Sequence, residues 1–136
     1  VAVIFAVGEE EDTPGLAKIL VIDDEEKDLE KMRAALEKEG YEAVLARNGA
    51  EALDALEKNS FKLVLLDIRM PILSGYDVLR LLRERLDRHV KMVYVSIVPK
   101  EKVYLDDIDG FIQKPFSSRT FVSQVKKCLK GECVGV

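Results

Sequence analysis

Tryptophan is absent from this 136-residue chain, histidine occurs once and cysteine twice. Cys128 and Cys133, five apart, fit neither a zinc-ligand spacing nor a C-x-x-C redox pair. Cys128 falls on the apolar stripe of a C-terminal helix and Cys133 in a glycine-containing tail, so a reducing, cytoplasmic compartment is expected. Basic charge is not in excess either. A net charge of -4 and a pI of about 5.2 exclude a chain whose main task is to hold nucleic acid phosphates. Lys126, Lys127 and Lys130 read as a solvated face or a complement to a helix dipole.

Long apolar runs are missing as well. Val1-Ala2-Val3-Ile4-Phe5-Ala6-Val7 falls far short of a bilayer span and has no basic residue before it. The acidic stretch from Gly8 to Gly15 contains Pro14 and offers no cleavage pattern, so neither a signal peptide nor a membrane partner is expected. Residues 1–16 are read as an N-terminal extension, either an extra edge strand, a homodimer contact or a disordered tail. Neither a Walker A loop nor G-x-G-x-x-G occurs, which disfavours a nucleotide-binding enzyme.

What is present is the composition of one soluble domain, 48% hydrophobic and 34% charged. Ile19-Leu20-Val21-Ile22 is a short, wholly apolar run that stops at Asp23-Asp24, as a strand buried on both faces does. Glu25 to Glu39 carries Leu29, Met32 and Leu36 at helical spacing, and Gly40 follows as a stop. Ala43–Ala46 is a second strand, and Asn48 with Glu51 three residues on marks a helix start. Leu63-Val64-Leu65-Leu66 ends at Asp67, and a helix is expected to reach about Leu86 after a loop holding Pro71 and Gly75. Met92–Val95 ends at Ser96, and Phe111-Ile112 ends just before Lys114-Pro115. Ser117 is placed to cap a last helix through Leu129. Strands alternating with helices imply right-handed crossovers, a parallel sheet and helices on both faces.

Ligands of such sheets bind beyond the carboxyl ends of the strands. There this sequence places Asp23 and Asp24, Asp67, Ser96 and Lys114. Carboxylates brought that close either rise in pKa or share a cation, and hard oxygen donors without imidazole or thiolate favour Mg²⁺. A carboxylate can attack phosphorus to give an acyl phosphate if the charge on the phosphoryl oxygens is neutralised. Mg²⁺, the Lys114 ammonium and the Ser96 hydroxyl are suited to that.

These segments resemble the receiver domain of two-component response regulators, over about residues 17 to 130. Val21-Ile22-Asp23-Asp24-Glu25 is similar to the family's acidic pair, Asp67-Ile68-Arg69-Met70-Pro71-Ile72-Leu73-Ser74-Gly75 to its D-x-x-M-P-x-x-x-G loop, and Lys114-Pro115-Phe116 to its K-P-F signature. Ser96 matches the switch hydroxyl. The resemblance implies a doubly wound (βα)5 flavodoxin-like α/β sandwich with a five-stranded parallel sheet of order 2-1-3-4-5. It implies that Asp67 is the phosphoacceptor of a sensor histidine kinase, with Mg²⁺ held by Asp24, Asp67 and the backbone carbonyl of Arg69, and by Asp23 through a water. It further implies a cis Lys114-Pro115 peptide, Phe111 as the aromatic switch, and an output surface at about residues 100 to 130 that docks a downstream target protein. The domain is then a signalling phosphoacceptor and not an enzyme with a substrate of its own. His89, in a charged loop, is expected to be solvated surface and not a phosphodonor.

The sequence departs from the family between Ser96 and Phe111. That connection is short and contains Pro99 and the acidic run Asp106-Asp107-Ile108-Asp109, so the fourth helix is expected to be shortened or absent. Ile97 stands where a small residue is usual and is expected to crowd the path of Phe111. A haloacid dehalogenase-type phosphatase is the lesser alternative, because its second aspartate is replaced by Arg69. A receiver fold that acts as an interaction module without phosphorylation is the other. The chain ends soon after the last helix, so action by docking, or origin as a fragment of a longer protein, is expected.

Overall fold

The five apolar runs pair as the centre of the molecule. In the computed structural model, which describes residues 17–71, 73–87 and 89–133, they are β1 (Lys18–Ile22), β2 (Glu42–Ala46), β3 (Leu63–Leu66), β4 (Lys91–Ser96) and β5 (Gly110–Gln113). All pairs are parallel and the order is β2-β1-β3-β4-β5, as expected. The expected strand or tail within residues 1–16 lies outside the described residues, as do residues 134–136.

Side chains alternate across the sheet with period two, and both faces are buried. Ile19, Val21, Leu63, Leu65, Val93, Val95 and Ile112 face one layer with Leu29, Met32, Leu36, Phe121, Val125 and Cys128. Those partners come from α1 (Glu26–Lys38) and α4 (Ser118–Leu129). Leu20, Ile22, Val64, Leu66, Met92, Tyr94 and Phe111 face the other layer with Ala52, Ala55, Val78, Leu79 and Leu82. Those belong to α2 (Gly49–Lys58) and α3 (Gly75–Arg83).

The starts of α2, α3 and α4 follow side-chain capping, by Asn48, Ser74 and Ser117, whereas α1 begins after Glu25 without a side-chain cap. Asn48 accepts from the Glu51 amide at 2.8 Å and Ser117 from the Thr120 amide at 3.1 Å, each satisfying an amide that the first turn leaves open. α3 ends at Arg83 rather than near Leu86, for the Glu84 to Leu86 stretch closes as a turn in which the Arg85 and Leu86 amides both donate to the Leu82 carbonyl. The Arg83 guanidinium there donates to the carbonyl of Asp107 and to the carboxylate of Asp109, which also accepts from the Met92 amide.

That Arg83 bridge holds the segment in which a helix is missing. Between β4 and β5 the described residues form a single 3-10 turn, Lys100–Lys102, and then an extended stretch in which Val103 and Leu105 pack on the core. Val103, Tyr104 and Leu105 are consecutive, a pattern that gives no helical stripe. Tyr76 and Tyr94 pack edge to face, and so do Tyr76 and Tyr104, each pair 5.7 Å between centroids, beside this stretch. Ile97 is 57% exposed, so the expected crowding of Phe111 by Ile97 is not found. Phe111 itself is buried next to Tyr94, its partner in the β4–β5 register.

The cysteines differ from expectation. Cys128 and Cys133 are joined as a disulfide, where a core thiol and a tail thiol were expected. The physical reason is local: α4 stops at Leu129, Gly131 takes a left-handed φ of 82°, and the chain folds back to bring the two Cα atoms to 4.0 Å.

Candidate functional site

The carboxyl ends of the strands are level, because the ladder continues one residue past each strand. The Asp67 amide donates to the Ile22 carbonyl at 2.9 Å, the Asp23 amide to Ala46 at 3.1 Å and the Lys114 amide to Ser96 at 2.9 Å. Asp23, Asp67, Ser96 and Lys114 therefore share one edge although they are far apart in sequence. Asp24 joins them. Oxygens of Asp23, Asp24 and Asp67 all lie within 4.8 Å of one another.

Burial differs sharply within this cluster. Asp23 is fully buried, with Oδ1 accepting from the Glu25 amide at 2.9 Å and Oδ2 from Lys114 Nζ at 2.6 Å. Asp67 is 6% exposed, Asp24 is exposed and Ser96 is fully buried. Asp67 Oδ1 accepts from the Arg69 amide at 3.3 Å, and its Oδ2 stands 3.8 Å from Lys114 Nζ. Burial pushes the Asp67 carboxyl up to about 6, and the Asp23 charge adds to the rise, against Lys114, the Arg69 amide and the Ser96 hydroxyl. Burial also raises Asp23, which the hydrogen bond from Lys114 offsets only in part. For Lys114, burial acts downward, but the hydrogen bonds to Asp23 and Asp28 prevail and hold the ammonium above its ordinary range.

Asp28 was not singled out in the sequence. It accepts from Lys114 Nζ at 2.7 Å from the first turn of α1. Its signal was slight, an acid in the first turn of a helix, a place where carboxylates commonly do no more than complement the helix dipole. The loop after Asp67 is folded tightly. The Gly75 amide donates to the Ile68 carbonyl at 2.8 Å, and a Cβ at Gly75 would stand 2.3 Å from the Asp67 carbonyl oxygen. Backbone cannot yield there as a flexible side chain could. Gly75→Ala is expected to lower unfolding free energy by at least about 2 kcal/mol in urea titrations. A loss within a few tenths would show that the loop has slack.

The turn bearing Lys114 is anchored from both sides. Its Lys114-Pro115 peptide is cis. Lys31 Nζ donates to the Phe116 carbonyl at 2.7 Å and lies 4.7 Å over the Phe116 ring, which stacks on Phe121. His89 lies away from the cluster, exposed and bonded to Asp87.

The sequence profile described as the response regulator receiver domain matches residues 19–126. The chain belongs to the response regulator receiver family. An uncharacterized transcriptional regulatory protein of Bacillus subtilis, YkoG, is 34% identical over 116 residues, which cover 82% of this chain and 50% of that protein. This receiver domain thus spans about half the length of the first curated relatives it matches. The polar-differentiation response regulator DivK of Brucella anthropi is 29% identical and is covered over 94% of its length, with 82% of this chain. Among solved structures, a CheY-like receiver domain protein from Methanospirillum hungatei superposes with a TM-score of 0.78 at 28% identity, covering 86% of this chain and 96% of that one. The response regulator TrrA of Thermotoga maritima, in complex with Mg²⁺-BeF, superposes with a TM-score of 0.74 at 32% identity, covering 82% and 98%.

The residues of this receiver domain suit a divalent metal. Among the described residues Asp23, Asp28 and Asp67 share the Lys114 ammonium, and Asp24 brings a further carboxylate within 4.8 Å of Asp23 and Asp67. All donors in the Asp23, Asp24 and Asp67 group are carboxylate oxygens, the set preferred by Mg²⁺. Among the described residues no helix is long and apolar enough to cross a membrane.

Proposed function

We propose that this receiver domain accepts a phosphoryl group on Asp67 from the phosphohistidine of a sensor histidine kinase and thereby changes a protein-docking surface. The observation that carries the reading is the buried Asp67 carboxylate at the end of β3, with Lys114 on one side and the Asp23-Asp24 oxygens within 4.8 Å. Asp67 attacks phosphorus, the P–N bond to the kinase imidazole breaks, and a new P–O bond forms on the carboxylate. Asp24, Asp67 and the backbone carbonyl of Arg69 would hold Mg²⁺, and Asp23 would act through a water. Bound there, the ion neutralises charge on the phosphoryl oxygens. Lys114 takes a share of the same charge from the β5 side. The metal, the donor kinase, a docking target and a cytoplasmic setting belong to this one reading.

Ser96 supplies the outward link. Its hydroxyl accepts from the Val98 amide at 3.3 Å. Drawing that hydroxyl toward a phosphoryl oxygen gives up this bond and moves the start of the short β4–β5 connection. Phe111 is already buried, so its part as aromatic switch is a repacking inside the layer it shares with Tyr94.

Incubation with Mg²⁺ and acetyl phosphate is expected to add one phosphoryl mass, removable by hydroxylamine. Asp67→Ala abolishes the addition. Unmodified wild-type protein under saturating donor refutes the assignment and leaves the receiver fold as an interaction module.

A further inference from the structure

Lys114 is not directed at Asp67. Its two short bonds run to Asp23 at 2.6 Å and Asp28 at 2.7 Å, whereas Asp67 Oδ2, at 3.8 Å, lies beyond hydrogen-bond reach. The ammonium has three donors, and two are committed to carboxylates of the β1–α1 side. The third donor is free, but Nζ must move to bring it onto a phosphoryl group at Asp67, and that movement draws the ammonium from an acid that the phosphoacceptor motif does not contain.

We infer that Asp28 is a positioning residue that detains Lys114 in the unphosphorylated domain and releases it when Asp67 carries a phosphoryl group. The inference rests on the reading of Asp67 as phosphoacceptor. Which bond yields is decided by burial. Asp23 is fully buried, so losing Lys114 would strand a carboxylate without water. Asp28 has a side chain 36% exposed and rehydrates when the ammonium leaves. The phosphoryl group brings two units of negative charge and three acceptor oxygens, enough to outbid a partly hydrated carboxylate.

Detention by Asp28 then acts against the phosphorylated state, because part of the phosphoryl–Lys114 attraction is used to break the Asp28 bond. Removing the Asp28 charge removes that opposition. The released contact also joins α1 to the β5–α4 turn, for Lys114 precedes Pro115 and Asp28 lies on α1. Phosphorylation thus loosens this junction on the face of the sheet opposite the missing helix.

The test uses beryllofluoride with saturating Mg²⁺ as the phosphoryl mimic, its affinity measured by calorimetry on wild type, Asp28→Asn, Asp28→Ala and Asp28→Glu. Asp28→Asn and Asp28→Ala are expected to bind the mimic roughly five- to tenfold more tightly than wild type, while Asp28→Glu, which keeps the charge, stays close to wild type. Thermal unfolding of the same proteins separates a structural role. A lower melting temperature in Asp28→Asn with unchanged or weaker mimic affinity overturns the inference. Wild-type and Asp28→Asn proteins that both fail to bind the mimic and to accept phosphate from acetyl phosphate overturn the phosphoacceptor reading, and the inference with it. Normal phosphorylation of both with equal mimic affinity overturns the inference alone.

Discussion

Replacing Lys114 with methionine is expected to lower unfolding free energy by about 3–5 kcal/mol at neutral pH without divalent cations. Its side chain is 11% exposed and is the cation shared by Asp23, Asp28 and Asp67. Methionine fills similar volume, so packing is largely preserved and the loss is electrostatic. Asp23 cannot recover solvent, and its neighbour Asp67 is buried as well. Acidification should therefore rescue the variant as these carboxyls take up protons, and Mg²⁺ should rescue it at neutral pH by replacing the lost positive charge. Urea titrations at pH 7.5 and pH 5.5, with and without Mg²⁺, test this. A loss below about 1 kcal/mol at pH 7.5 would mean that the ammonium is exchangeable with solvent, as at an exposed pair.

Replacing Asp67 with asparagine works in the opposite direction. The folded carboxyl titrates at about 6 against an ordinary value of 3.8, so between those values the folded state binds the proton that the unfolded state has released. Stability attached to Asp67 is thus full below the lower value, is lost as pH rises to about 6, and stays lost above it. Asparagine keeps the shape and never ionises. At pH 7 without divalent cations Asp67→Asn is expected to be more stable than wild type by on the order of 2–3 kcal/mol, and the difference should shrink to near zero below about pH 4. Added Mg²⁺ should close the gap from the other side, because it stabilises only the protein that has the full carboxylate set. Equal stability at pH 7 would show that Asp67 is hydrated enough to ionise freely. Under the proposed reading the variant is also expected to lose phosphoryl acceptance, so stability gained at this position would be stability the unmodified domain forgoes for that chemistry.

Both expectations concern residues that are legible in the sequence itself. Asp23, Asp67 and Ser96 each follow directly on an apolar run, Asp24 and Lys114 stand one residue further on, and parallel pairing puts all such positions on one edge. The caps at Asn48 and Ser117 were readable for a similar reason, since each satisfies an amide three residues away. The shortened β4–β5 connection was readable from its length and from Pro99. How that connection is held was not, because Arg83 reaches Asp109 across 26 residues. The cysteine pair escaped for a different cause. Spacing in sequence gave no sign that Gly131 would turn the chain back on Cys128.

Local chemistry by itself determined the strands, the helix starts and the acidic edge, for each depends on neighbours in sequence and on the alternation of a sheet buried on both faces. Only the tertiary structure decided how the charges on that edge are shared. Lys114 lies 86 residues from Asp28 and 91 from Asp23, and which carboxylate it grips depends on distances and burial that no local pattern encodes. In a site with several acids and one buried cation, fractions of an ångström and the access of water set the partner.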